Sequence, residues 1–207
     1  MNQLTVGGII SNSIQIGLKN LVSIVVAVFL WLITIWIPYL NVGTTIALIG
    51  MVVAISKGGI ISPLEIFDAK YRRNMGEFFL LIGFLQIGIF AGYLFAIIPG
   101  IVISIAWGQA IFLLIDKNMN PTEAITVSNK ITYGKKWTIF FAYLILGIVL
   151  VIAIFILMKI FGLIWGFLGS LVGFVGYIAM LCIFMAAAAY IYGELSKELE
   201  TPGQSAA

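Results

Sequence analysis

The sequence predicts an all-α, polytopic membrane protein: six transmembrane helices in three hairpins, each preceded by an amphipathic helix on the cytoplasmic surface. Three observations lead there. Hydrophobic residues make up 62% of the 207-residue chain and charged ones 9%, with a mean hydropathy of +1.17; a soluble domain carries about 25% charged residues. The apolar sequence falls into runs of spanning length separated by short polar stretches. The basic residues, set against those runs, collect almost entirely on one side. Residues 1–207 read as a single integral membrane domain, with 193–207 as a short cytoplasmic tail.

Residues 2–16 predict the first surface helix, with Val6, Ile10, Ser13, Ile14 and Gly17 on one face and Asn12, Gln15 and Lys19 around the other. The stretch lacks a basic n-region and a small-residue cleavage site, so it does not read as a removable signal peptide. Leu21–Ile37 is the first span. Val42–Ile61 is the second, with Lys57 near its end, where a long stem reaches the headgroups. Ser62–Asn74 predicts the second surface helix, followed by a span over Phe78–Ile98. Pro99-Gly100 makes a tight reversal into a short fourth span, Ile101–Ile115; a broken-helix binding site is the alternative reading of that dipeptide.

The third surface helix lies in Asn120–Trp137 and carries the clearest local signals. Asn120 is a good N-cap, Pro121 suits the first helical position, and Glu123 sits where a capping box wants its acid. Ala124, Val127, Ser128 and Ile131 line one face; Thr126, Asn129, Lys130 and Tyr133 line the other. Gly134 suits a left-handed end, and Lys135-Lys136-Trp137 anchors the start of the next span. The fifth span runs from Thr138 to Met158 and the sixth over Phe167–Tyr192, with Ile160–Gly166 as an outer turn.

Lys19, Lys57, Lys70, Arg72, Arg73, Lys117, Lys130, Lys135, Lys136 and Lys197 fall on one side of this layout, and only Lys159 on the other. By the positive-inside rule both termini face the cytoplasm. The surface helices also suggest internal repeats, over 1–61, 62–119 and 120–192. Ser62-Pro63-Leu64-Glu65 parallels Asn120-Pro121-Thr122-Glu123, and Gly17, Gly76 and Gly134 align at shifts of 117 and 58. The stripe Leu64, Phe67, Tyr71 is out of phase with Ala124, Val127, Ile131, which counts against the likeness.

Ile98-Pro99-Gly100-Ile101, Ile115-Asp116-Lys117, Pro121-Thr122-Glu123-Ala124 and Ser128 through Lys136-Trp137 together form a pattern. It resembles the membrane domain that accompanies some bacterial glycerophosphoryl diester phosphodiesterases, and stand-alone six-span relatives of that domain. The resemblance implies a location in a bacterial cytoplasmic (inner) membrane and a six-span fold. It implies no activity, because the phosphodiesterase chemistry of such proteins belongs to a separate soluble domain.

Chemistry that needs a fixed ionisable cluster has little to work with. There is no histidine, the commonest base and metal ligand. Glu65, Asp68, Glu77, Asp116 and Glu123 are interleaved with basic residues, as in solvated interface charge. Cys182, the single cysteine, lies in an apolar run, which excludes an intrachain disulfide. No catalytic residue, cofactor or metal site is predicted. A net charge of +3 is too small to suggest a nucleic-acid partner.

Three sets of residues carry what functional signal there is. Lys70, Arg72, Arg73, Lys130, Lys135 and Lys136 are placed to attract anionic lipid at the interface, by about 1 kcal/mol for each well-placed charge. Gly162, Gly166, Gly169, Gly173 and Gly176 read as one flat ridge for helix packing, inside the monomer or between subunits. Gln86 and Gln109 are the amides well inside predicted spans, 13 and 10 residues from Pro99. At roughly 20 and 15 Å from that turn they could meet as an interhelical tie or line a polar route. These features point to a non-enzymatic protein: a scaffold, an accessory subunit of a membrane-protein partner or homo-oligomer, or a lipid-interacting factor. The alternative is a carrier or channel for an uncharged, amphiphilic or peptide solute.

Overall fold

The computed structural model describes residues 4–59 and 62–200, and every regular element among them is helical. In chain order these are α1 (Val6–Lys19), α2 (Leu21–Thr34), α3 (Leu40–Ser56), α4 (Met75–Phe95), α5 (Ile97–Trp107), α6 (Ala110–Lys117), α7 (Pro121–Ile131), α8 (Lys136–Ile164) and α9 (Gly166–Glu200). Two 3₁₀ turns, Pro63–Phe67 and Ala69–Arg72, join α3 to α4. Four stretches are long and apolar enough to cross a bilayer: α4, α5 with α6, α8 and α9. The pair α1 and α2 makes a fifth if counted as one span, but it is bent by 73°.

Helix α9 is the post on which the others lean. It packs against α1, α2, α3, α7 and α8. Ala186, Ala187 and Ala189 are fully buried along it, and such small side chains bring backbones close where lipid offers no hydrophobic drive between helices. Gly17 of α1 does the same from the other side, a Cβ there lying 3.1 Å from the Ile183 Cα. At the far end, Gly193 lies against the carbonyl of Ser56, and Tyr192 and Leu195 are buried. Residues 193–200 therefore continue the helix, with Leu195 in the core and Lys197, Glu198 and Leu199 exposed, and 201–207 lie outside the described residues.

Helices α8 and α9 form one long hairpin whose distal half leaves the bundle. From Val151 to Ile160 every side chain but Ile154 is exposed. There the two helices touch mainly each other: a Cβ on Gly169 would lie 2.8 Å from the Gly162 Cα, and one on Gly173 2.6 Å from Met158 Sδ. The turn is the single extended residue Trp165, shorter than the expected Ile160–Gly166. That break puts Gly162 on α8 and the other four glycines on α9: Gly169, Gly173 and Gly176 form a stripe along α9 that packs on Gly162, Met158 and Ile154 of α8, while Gly166 lies open beside the turn.

Two further boundaries differ from expectation. The reversal before the fourth span sits at Ala96, not at Pro99-Gly100, which belong to the first turn of α5. Proline is tolerated there because first-turn N–H groups have no intrahelical partner to lose. The Ser62–Asn74 segment is not an amphipathic α-helix. Asp68 is extended between the two 3₁₀ turns and its carboxylate accepts the Lys70 N–H at 2.9 Å, an alternative to helix that short polar side chains offer. The segment packs on α2 and α3, with Ile66 buried and Tyr71 seated against Gly50. The aligned glycines also differ in setting. Gly17 is an interior helical contact, Gly76 lies open in the first turn of α4, and Gly134 has φ of +75°.

Candidate functional site: an apolar cavity between two polar nodes

The first node forms where α7 docks against the α5–α6 stretch. Asn120 caps α7 by accepting the Glu123 N–H at 2.9 Å, and Glu123 returns to the Asn120 amide at 3.3 Å. This fixes the helix so that Ala124, Ser128 and Ile131 are buried and Thr126, Asn129 and Lys130 exposed. The span is interrupted at Gly108-Gln109, between α5 and α6, and the hydroxyls of α7 pair with the backbone there. Ser128 Oγ donates to the Ala106 carbonyl at 2.6 Å and accepts the Gln109 N–H at 3.1 Å. Thr132 Oγ1 donates to Ser128 O at 2.8 Å and lies 3.4 Å from Ala106 O. Gln109 is 5% exposed, and its Oε1 is the buried side-chain acceptor without a partner among the described residues.

The second node was not singled out from sequence. At the C-terminal end of α6 the Asp116 side chain is 2% exposed. It accepts from Lys57 at the end of α3 and from the Tyr192 hydroxyl of α9, the latter at 2.6 Å, with Lys117 Nζ 3.8 Å away. Three separate elements thus meet on one carboxylate. The signal in the sequence was Asp116 itself, an acid directly ending an apolar run, but its partners lie 59 and 76 residues away.

Between α2, α3, α6, α8 and α9 lies a cavity of about 510 Å³, open to the surface of the bundle, with no charged residue in its wall. Trp31, Val52, Phe112, Tyr143, Leu181 and Ala188 represent the five helices. The Trp31 indole N–H is already used, donating to Thr45 Oγ1 at 2.9 Å. The Tyr143 ring stacks on Phe184 with centroids 5.9 Å apart, and Tyr143 also lines a second cavity of about 360 Å³ beside α5. Phe112, in the wall, touches the Tyr192 ring at 5.4 Å between centroids. That contact links the cavity to the Asp116 node.

The structure does not join Gln86 to Gln109. Gln86 is exposed on α4 and Gln109 is buried, with no hydrogen bond between them among the described residues. The interface cations are largely engaged. Lys70 pairs with Glu65 at 3.3 Å and Asp68 at 3.2 Å, and lies 4.9 Å from the Tyr71 ring centroid. The Lys70 backbone N–H and ammonium hold the Asp68 carboxyl below the usual range. Arg72 lays its stem on Gly43, Lys135 bonds Glu198, and Lys136 donates to Asn129 Oδ1 at 2.8 Å. Arg73 and Lys130 are exposed. Comparison with protein-family profiles, curated proteins and solved structures returned no match to this chain.

Proposed function

We propose that the protein is a non-enzymatic, lipid-interacting factor of a bacterial cytoplasmic membrane that holds a hydrocarbon chain in the cavity between α2, α3, α6, α8 and α9. The observation that carries this reading is the cavity wall: it is apolar, uncharged and about 510 Å³ in volume, within the 300–1,000 Å³ typical of ligand pockets. A polar solute would leave its hydrogen bonds unmade there, whereas a lipid chain gives up nothing. Six spans in three hairpins, α2–α3, α4 to α6 and α8–α9, belong to the same proposal, as does kinship with the phosphodiesterase-associated membrane domain. At 14 and 17 residues, α2 and α3 reach about 21 and 26 Å of a roughly 30 Å core, so they cross with help from flanking residues and local thinning. Cytoplasmic termini draw support from Lys57, Lys117 and Lys135, which cluster around the C-terminal part of α9, while Lys159 lies near the opposite hairpin tip.

A phospholipid carrying a photoreactive group on its acyl chain tests the reading. Crosslinks should fall on the peptides containing Val52, Phe112 and Leu181, and Ala188→Phe, which fills the cavity, should remove them. Labelling confined to the exposed distal α8–α9 hairpin, unchanged by Ala188→Phe, would refute it. A second reading, passage of an uncharged amphiphilic solute, draws on Tyr143, common to both cavities, and on the broken span at Gly108-Gln109.

A further inference from the structure

We infer that the lipid-facing surface is built for two bilayer thicknesses. It thins the membrane along α2 and α3, thickens it along the distal α8–α9 arm, and gathers short-chain phospholipid at the first face and long-chain phospholipid at the second. This deepens the lipid-interacting reading and rests on its α2–α3 hairpin crossing the bilayer. On α2 the exposed apolar side chains run from Val22 through Phe29 and Leu32 to Trp36, a rise of about 21 Å. On α8 they run from Trp137 through Ile148 and Phe155 to Trp165, a rise of about 42 Å. Against a hydrocarbon core of roughly 30 Å, the first surface falls about 9 Å short and the second is about 12 Å too long.

Both surfaces start at the same end of the bundle. There Gly193 of α9 lies against the Ser56 carbonyl of α3, and Lys135, just before α8, bonds Glu198 of α9. From that level α3 runs back to Leu40 in about 24 Å, while α9 runs back to Gly166 in about 40 Å. The α2–α3 turn is closed by the Thr34 and Thr44 hydroxyls at 2.9 Å. It therefore stops about 16 Å short of the tip of the arm. Tilting does not relieve the conflict. A span too long for its bilayer ordinarily leans over, but α9 is one continuous helix from the bundle to the arm. The arm is also braced, with Gly169 close on Gly162 and Gly173 on Met158. Leaning the arm leans the whole bundle, which shortens the reach of α2 and α3 still further. Water does not cover the arm either. Its single charge from Val151 to Tyr177 is Lys159, about 8 Å before Ile164, a distance over which a long stem reaches headgroups. Lipid covers both surfaces, and its thickness follows the protein.

Trp36 and Trp165 serve as depth gauges, each exposed at the far end of its surface. The full chain is reconstituted in phosphatidylcholine vesicles in two versions. Each version keeps one of these residues and carries phenylalanine at the other four of the five tryptophans, and its unfolding midpoint checks the fold. Lipid brominated near the glycerol should quench both tryptophans at least about threefold more than lipid brominated near the chain ends, as for residues at headgroup level. In mixed vesicles Trp36 should favour a short-chain brominated lipid (about 14 carbons) and Trp165 a long-chain one (about 22 carbons), each by about twofold. Trp165 quenched by iodide and not by lipid, with Trp36 at headgroup level, would overturn the thickness step and leave the crossing hairpin intact. Trp36 quenched most from the chain ends would overturn the crossing itself, because the hairpin would end inside the core. Trp165 shielded from bromine and iodide alike would assign the arm to a protein partner and overturn the step. Both tryptophans at headgroup level with no preference for chain length would overturn the gathering of lipids.

Discussion

Replacing Ser128 by alanine tests how the broken span is held together. The hydroxyl makes two hydrogen bonds to buried backbone, donating to Ala106 O at 2.6 Å and accepting the Gln109 N–H at 3.1 Å. Alanine leaves the volume nearly unchanged and removes both. An unpaired buried backbone group costs about 1–3 kcal/mol. Thr132 Oγ1, 3.4 Å from Ala106 O, can shorten its contact and recover part of one bond, but nothing on α7 replaces the acceptor for Gln109. The expected loss is therefore about 2–4 kcal/mol. For a chain of this size that lowers the unfolding midpoint by roughly 4–16 °C. Cys182, the single cysteine and 1% exposed, reports unfolding through its reaction with a thiol-reactive dye on heating in detergent. Thr126→Ala is the control, since that hydroxyl is exposed and bonds back within its own helix; it should shift the midpoint by less than about 2 °C. Ser128→Ala matching the control would refute the claim that α7 is what satisfies the break.

Other expectations follow from the same geometry. Gly169→Leu should lower the midpoint sharply because backbone atoms, the Gly162 Cα and the Met158 carbonyl oxygen, lie 2.8 Å from where its Cβ would sit, while Gly166→Ala, with nothing within 4 Å, should be silent in the same dye assay. Asp116→Ala should cost about 2 kcal/mol by removing the carboxylate that accepts from both Lys57 and the Tyr192 hydroxyl, and Asp116→Asn less, since its amide oxygen still accepts; paired thermal curves decide. Gly134→Val should cost roughly 1–2 kcal/mol for its left-handed backbone, with φ of +75°, measured against Gly134→Asn. Gln109→Leu should raise the midpoint by removing a buried acceptor without a partner, whereas Gln86→Leu, on the exposed face of α4, should change it little.

What the sequence conveyed well was whatever depends on neighbours along the chain. The Asn120 cap, the face of Ala124, Ser128 and Ile131, and the left-handed Gly134 follow from spacing and side-chain chemistry within one helix, and all are found. Boundaries inside apolar runs were less legible, because apolarity says nothing about where a chain turns. Trp165 and Ala96 reverse the chain amid residues as apolar as those before and after them. Pro99-Gly100 drew attention as a turn, yet a proline in a first turn and a glycine against a tyrosine ring do helical work there. The segment 62–74 shows the opposite failure. Its proline and glutamate imitate a helix start, and Asp68 then diverts the backbone by capping a second short turn.

The two polar nodes were illegible for a different reason, which bears on how such a protein is built. Ser128 reads as one polar residue on a mixed face, and Asp116 as one charge among interface charges. Each becomes informative only beside partners brought up by other helices: Ala106 and Gln109 for the serine, Lys57 and Tyr192 for the aspartate. A membrane bundle gains little from burying more apolar surface, since lipid is as apolar as its side chains. Its few polar contacts therefore have unusual leverage on which helices meet. Here both nodes lie on the α5–α6 stretch, at its interruption and at its end; the first ties it to α7, the next helix in the chain, and the second to α3 and α9, which are far from it in sequence. The cavity opens between the helices so joined. Loosening either node should widen or close it, and Trp31, in its wall, should register the change: Ser128→Ala and Asp116→Ala should each shift its emission, while Gly173→Leu, out on the α8–α9 arm, should leave that emission unchanged.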